Sequence, residues 1–304
     1  MENITVLLST YNGEKFLREQ IDSLLQQEGV NIQILARDDG SSDSTISILE
    51  EYANKYSNFN YYHNVNFGPA KSFLDLIKNA PDTDYYALCD QDDYWDKDKL
   101  KIAITKLKEL DETVPNLYYS NLRIVDENLT FYRLSHEGEF SNPNKYSALT
   151  ENLCTGCTAV FNRTAQILLK NHMPKACTMH DTWIYILCKF LGNAVYDQEA
   201  HISYRQHGGN VVGAYLERSR YAIYKERLLR MFKKGLQPRY MNAKNFYECF
   251  GPLLDEEDKR KVLKLINYKN SIKDRMSLFF DKDIKASSFY GNLRFRLHVL
   301  WGTV

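Results

Sequence analysis

Short apolar runs at residues 4–8, 32–36, 59–63 and 85–89 alternate with stretches whose apolar positions recur every three or four residues, at 16–25, 45–56, 73–79 and 99–110. A run of about five apolar residues reads as a strand buried on both faces, and three-to-four spacing reads as a helix with one buried stripe. Strand, loop and helix therefore repeat, the arrangement that folds as βα units on a mostly parallel sheet flanked by helices. A later strand is expected at 201–204, and residues 179–184 open an apolar helical stretch. Sheets of this kind hold ligands outside the carboxyl ends of their strands, so the chemistry should lie in the loop after each apolar run.

The fourth run closes on Asp90, Gln91, Asp92, Asp93, Tyr94 and Trp95. Acids one residue apart can hold a hard divalent cation against a phosphate, because Mg²⁺ and Mn²⁺ take oxygen ligands and fill their octahedron with water and substrate. The plainer reading is an acidic turn that caps the helix after Asp98. The first strand runs into Ser9, Thr10, Tyr11, Asn12 and Gly13, the second into Arg37, Asp38, Asp39, Gly40, Ser41, Ser42 and Asp43. The third runs through Asn66, Phe67, Gly68 and Pro69 to a helix with Lys71 in its first turn.

Taken in order, LLSTYNGEKFLREQIDSLLQQ, DDGSSDST, NFGPAKSF and DQDDYW resemble the family 2 glycosyltransferases with the GT-A nucleotide-sugar fold, over roughly the first 215 residues. MHDTW, then Tyr204, Arg205, Gln206, His207 and Gly208, carry a narrower resemblance to bacterial rhamnosyltransferases of cell-wall rhamnan and O-antigen assembly. The resemblance implies an α/β fold: a GT-A, Rossmann-like, mixed but mostly parallel sheet flanked by helices, with a C-terminal helical extension. It also implies an inverting, metal-dependent transfer of L-rhamnose from dTDP-β-L-rhamnose to a rhamnose-containing or lipid-linked saccharide. The same chemistry with a UDP-hexose, or a non-catalytic nucleotide-binding scaffold, are the competing expectations.

Such a transfer must neutralise the departing diphosphate and deprotonate the attacking hydroxyl. By resemblance, Thr10, Tyr11 and Asn12 line the base and sugar, Asp39 (or Asp38) receives a base N–H, and Asp90 touches the nucleotide. Asp92 binds Mn²⁺ or Mg²⁺, with His207 as a metal or diphosphate ligand and Arg205 as a diphosphate contact. Lys71 is read either as a diphosphate contact or as a solvated lysine, and Asp93 as a cap or loop-ordering group. The same resemblance makes Asp181 the candidate general base. An unperturbed aspartate, pKa ~3.9, is ionised at neutral pH, and the alternative for Asp181 is a first-turn helix acid. Trp95 and Trp183 are acceptor-stacking candidates or core. A QxxRW motif of processive relatives is missing, which implies one or few additions per encounter. Residues 126–150 read as a polar loop able to close over the acceptor.

The net charge of zero hides an asymmetry: residues 217–304 carry 20 Lys and Arg against 10 Asp and Glu, and residues 1–216 carry 19 against 29. The expected organisation is a catalytic part at 1–216, with nucleotide binding near 1–125, and a basic helical tail at 217–304. In the tail, Leu216, Tyr224, Leu228, Met231 and Phe232 share one face, as do Tyr290, Leu293, Leu297 and Trp301. Such helices either lie on anionic lipid or pack on the catalytic part or a second copy in a homodimer. No nucleic-acid signature accompanies the charge. No stretch approaches the ~18 apolar residues of a membrane span, so the chain is expected in the cytoplasm, or peripherally on the inner face of the membrane. Cys154, Cys157, Cys177 and His180 have a spacing that zinc could use, but reduced, buried thiols are the default there.

Overall fold

The computed structural model describes residues 1–138, 143–176, 178–207 and 237–304. The chain divides into two compact units, one made of Met1–Phe140, Cys154–Met173 and Met179–Arg205, the other of Ser141–Leu153, Pro174–Thr178 and Gln206–Val304. The boundary expected at 216, and the helical face from Leu216 to Phe232, lie outside the described residues.

In the first unit, β1 (Asn3–Thr10), β2 (Asn31–Asp38), β3 (Phe59–His63) and β4 (Tyr85–Cys89) run parallel in the order β3-β2-β1-β4. Between and after them come α1 (Leu17–Leu25), α2 (Thr45–Lys55), α3 (Pro69–Asn79) and α4 (Lys99–Leu107). The two periodicities of the sequence meet in one core: Ile4, Val6 and Leu8 of β1 are buried with Leu17, Ile21 and Leu24 of α1. Every residue of β4 is buried, as its unbroken apolar run requires.

Beyond β4 the sheet turns mixed. β8 (Val160–Asn162) joins β4 antiparallel, then β6 (Asn116–Val125), β9 (Asn193–Arg205) and β5 (Tyr94–Trp95) follow, with β7 (Phe131–Leu134) alongside β6. The pairing of β5 with β9, Tyr94 opposite Ser203 and Trp95 opposite Ile202, pins the far end of the acidic segment, whose near end hangs from β4. α5 (Arg163–Asn171) and α6 (His180–Leu191) complete this unit.

The described residues of the polar stretch at 126–150, namely 126–138 and 143–150, are more ordered than their polarity suggests. The Asp126 carboxylate accepts the N–H groups of Asn128 and Thr130 and closes a hairpin into β7, and the Asn144 side chain caps a short helical turn at Lys145–Leu149. Local side-chain capping replaces the missing apolar pattern.

The second unit contains α7 (Pro238–Phe250), α8 (Glu256–Asn267), α9 (Ile272–Phe279) and α10 (Phe289–Trp301) around Phe246, Phe250, Val262, Leu265, Leu278 and Phe295. Asp255, Ser271 and Ser288 cap three of these helices with side-chain oxygens. Buried Asp281 takes Lys261 at 3.0 Å and Lys264 at 2.6 Å. Burial alone would raise the Asp281 carboxyl, but hydrogen bonds from Lys264, the Ile284 N–H and Lys261 outweigh it and hold its pKa well below the usual range.

A carboxylate depressed in the folded state stabilises above its unfolded pKa and loses that contribution as pH falls through the folded value. Thermal melting should therefore show stability declining progressively below about pH 4. Asp281→Asn should flatten that decline and cost about 3 kcal/mol at neutral pH, because it leaves the buried Lys261 ammonium with only the half-exposed Asp283 as its ion-pair partner.

Candidate active site

The parallel register sets Thr10 beside Asp38, so the loops after β1 and β2 lie side by side. One Asp38 oxygen accepts the hydroxyls of Thr10 and Ser41, the other the N–H groups of Gly40 and Ser41. Asn12, at φ 47°, donates its N–H to Ser41 Oγ and accepts the Ser42 N–H on its side chain, both at 2.8 Å. Tyr11 and Asn12 are exposed, while Thr10 is buried beneath them.

Asp39 links the second loop to the third. Its carboxylate accepts the N–H groups of Phe67 and Gly68 at 2.8 Å each and pairs with the fully buried Arg37 at 2.5 Å. Arg37 also reaches Asp75 at 3.0 Å and Ser72 Oγ at 2.9 Å. Lys71 stands exposed in the first turn of α3.

The acidic segment is tied to the first loop by Gln91. Its Oε1 accepts the Tyr11 N–H at 2.8 Å and its Nε2 donates to the Tyr11 carbonyl at 3.0 Å, a two-way clasp across 80 residues of sequence. Gly13 makes room for it: a Cβ there would lie 2.2 Å from Gln91 Oε1. The opposite side of the segment is held by Arg205. The Arg205 N–H donates to Asp93 Oδ1 at 3.1 Å and its Nε to the Asp92 carbonyl at 2.9 Å, while its remaining nitrogens bond the Glu127 carbonyl and the Glu19 carboxylate. The guanidinium, stacked on Phe16, is buried. These bonds tie Arg205 to the acidic loop, Glu127 and Glu19 and give it a structural task beside the diphosphate contact expected of it.

Asp181 occupies the first turn of α6, where its Oδ1 accepts the Thr182 N–H at 2.5 Å. Gly156 lies under it: a Cβ on Gly156 would come within 3.7 Å of the Asp181 Cβ and 2.8 Å of His180 Nε2. The next residue, Cys157, closes the link to the acidic segment, since its Sγ and one oxygen each of Asp90 and Asp93 all lie within 4.8 Å of one another. The half-buried Asp90 carboxyl is pushed up to about 7, by burial first and then by the charges of Asp92 and Asp181. Asp93 is pushed well up by burial, then by Asp92 and Asp90. The acidic segment and Asp181 therefore act on one another through a shared electrostatic neighbourhood.

Asp93 keeps an oxygen with no partner among the described residues. Two crowded carboxylates, Asp90 and Asp93, fit a hard divalent cation, and burial keeps the Cys157 thiol protonated, so the donor set is one of oxygens. Asp92, the expected ligand, enters through its charge on Asp90 and Asp93 and is not a member of the close group. His207 falls in the second unit.

Of the two readings of Trp95 and Trp183, acceptor stacking and core, their burial fits core: each is only 1 % exposed, and Lys99 Nζ sits 3.5 Å from the centre of the Trp95 ring. Cys157 groups with the aspartates and His180 lies against Phe73 at 4.0 Å between ring centres, while Cys177 is outside the described residues. Burial lowers the His180 pKa to about 3, so the ring is neutral. Gln91, Gly13 and Gly156 are site residues that sequence reasoning misses, although a glutamine between two acids and a glycine after a strand-end Asn are signals the chain carries.

Parallel strands ending in acidic and Asn/Gly loops, with a carboxylate cluster beside them, set a candidate ligand site outside the carboxyl ends of the sheet. The family model "Glycosyl transferase family 2" matches residues 5–167. The dTDP-rhamnosyl transferase RfbG of Shigella flexneri is 33% identical over 224 residues, 68% of this chain and 74% of that protein. Among solved structures, S. aureus TarS 1-349 in complex with UDP-GlcNAc superposes with a TM-score of 0.52 at 18% identity, over 98% of this chain and 89% of that one. Mannosyltransferase PcManGT from Pyrobaculum calidifontis, in complex with GDP-Man and Mn²⁺, gives 0.50 at 14% identity, over 99% and 86%. The chain belongs to glycosyl transferase family 2, and it is a glycosyltransferase with the mixed α/β fold of these neighbours.

Gln91→Ala should weaken nucleotide binding roughly tenfold by calorimetry with little change in melting temperature, the net worth of one or two hydrogen bonds. Gly13→Ala, which displaces the same side chain, should reproduce the loss.

Proposed function

We propose that the enzyme transfers L-rhamnose, with inversion, from dTDP-β-L-rhamnose to a rhamnose-containing or lipid-linked saccharide in bacterial cell-surface polysaccharide synthesis. The reading rests on Asp90 and Asp93 grouping with Cys157, on Gly156 lying against Asp181, and on the charges of Asp92 and Asp181 that raise Asp90. The donor reading is supported by the likeness to the Shigella flexneri dTDP-rhamnosyl transferase.

In this reading Thr10, Tyr11 and Asn12 line the nucleoside, and Asp39, held in place by Arg37, has lone pairs on its second oxygen for a base N–H. Asp90 faces the ribose and, with Asp92 and the unpartnered oxygen of Asp93, would hold Mn²⁺ or Mg²⁺. When bound, the cation supplies positive charge against the leaving diphosphate. Lys71, exposed at the start of α3, adds a positive charge on the same side of the sheet. The Asp181 carboxylate takes the proton of the acceptor hydroxyl as that oxygen attacks the anomeric carbon. Attack comes from the face opposite the diphosphate, the C–O bond to the diphosphate breaks, and configuration inverts. Arg205 and Gln91 keep the acidic segment in register with Asp181 and so limit the reorganisation needed at the transition state. The reaction is placed in the cytoplasm or on the inner membrane face, in accord with the finding that no described helix is long and apolar enough to cross a membrane.

Asp181→Asn should lower transfer by about a thousandfold while dTDP binding stays within a few-fold of wild type. Parallel loss of binding and turnover would remove Asp181 from the role of base. In thermal-shift titrations dTDP should raise the melting temperature more than UDP does, and both shifts should require Mn²⁺ or Mg²⁺. A larger shift with UDP would favour a UDP-hexose donor.

A further inference from the structure

α10 is apolar on two sides. Phe295 and Val299 face the interior of the second unit, yet Phe289 is 78 % exposed, Tyr290 81 %, Leu293 48 % and Trp301 49 %. The spacing of 290, 293, 297 and 301 draws a single stripe along the outer face. An amphipathic surface helix normally places polar residues there, so the outer stripe asks for a covering of its own.

The helix is held firmly enough for that stripe to be a surface feature. Arg296 donates to the carbonyls of Leu278 and Phe279 at the end of α9, and Arg275 of α9 donates to the Leu300 carbonyl at 3.3 Å. α9 adds Ile272, 80 % exposed, near the Trp301 end. The charge of this stretch is predominantly positive, although Glu151 accepts the Ser287 N–H at the start of α10. Residues 268–304 carry seven Lys and Arg against three Asp, and two of those three, Asp281 and Asp283, are engaged by Lys261. Arg294 is exposed within the stripe itself, and Lys269, Lys273, Lys282 and Lys285 of the same unit are exposed.

We infer that the outer face of α10, with its basic surround, is a docking surface for an anionic lipid bilayer. Tyr and Trp suit the water–hydrocarbon boundary, the leucines enter beneath the headgroups, and Arg294 with the flanking lysines meets the negative surface. A two-fold contact between copies of this chain is disfavoured by the same charges, since it would set two positive rims against each other. The inference concerns a surface in the second unit and stands independently of which sugar the first unit transfers.

The test is co-flotation of the full-length protein with vesicles of phosphatidylcholine alone or with added phosphatidylglycerol. The wild type should partition onto the anionic vesicles, lose most of that binding at high salt, and remain largely free of neutral ones. Replacing Tyr290, Leu293 and Trp301 together by Ser should lower partition about tenfold or more with the nucleotide thermal shift unchanged. Arg294→Glu, a change at an exposed position that leaves the apolar stripe intact, should lower it about tenfold if the triple variant does not fold. Absence of partition, equal binding to neutral and anionic vesicles, or a dimer in light scattering that the triple variant abolishes without any vesicle binding would each overturn the inference.

Discussion

The site is organised by repulsion. Asp90, Asp92, Asp93 and Asp181 come from two segments some ninety residues apart, and they are brought so close that burial and mutual charge lift Asp90 to about 7 and Asp93 well above its ordinary range. A protein tolerates such crowding only when protons or a cation neutralise it. The same arrangement that is costly without a ligand is what a magnesium or manganese diphosphate would satisfy, and it places a carboxylate within the same neighbourhood to receive a proton.

Much of the first unit can be understood as holding that crowded group in place. β5 pairs with β9, so the acidic segment is fixed at both ends. Arg205 satisfies the Asp92 carbonyl and Asp93 from beneath, and Gln91 fastens the segment to the loop after β1. Gly156 removes the one Cβ that would collide with His180 beside Asp181. Two glycines and one glutamine thus do for geometry what the aspartates do for charge.

The parallel half of the fold was legible because its signal is local: apolar runs and helical spacing mark β1 to β4 and α1 to α4 within a residue or a few of their ends. The acidic segment and Asp181 could be picked out as candidate site residues for a similar reason, since the motifs around them are contiguous in sequence. What was hidden depends on pairing at a distance. β5 is two residues long and exists only because β9 lies beside it. Arg205 and Asp93 meet across 112 residues, and no periodicity announces that an arginine near the end of a strand will turn inward. The tryptophans stayed ambiguous because an aromatic beside a functional motif looks the same in sequence whether it lines a pocket or fills the core. Burial separates the two, and burial is a property of the packed chain.

Catalysis in this reading turns on a cation shared by the acidic segment and the diphosphate, with Asp181 facing the same space. Diffraction from crystals of the protein with dTDP and Mn²⁺, recorded at the manganese absorption edge, tests this most directly. One anomalous peak is expected, coordinated by the aspartates of the 90–93 segment and by the diphosphate, with the Asp181 carboxylate opening onto the cleft beyond the β-phosphate. A peak bound away from those aspartates, or an Asp181 carboxylate turned into a separate cavity, would contradict it.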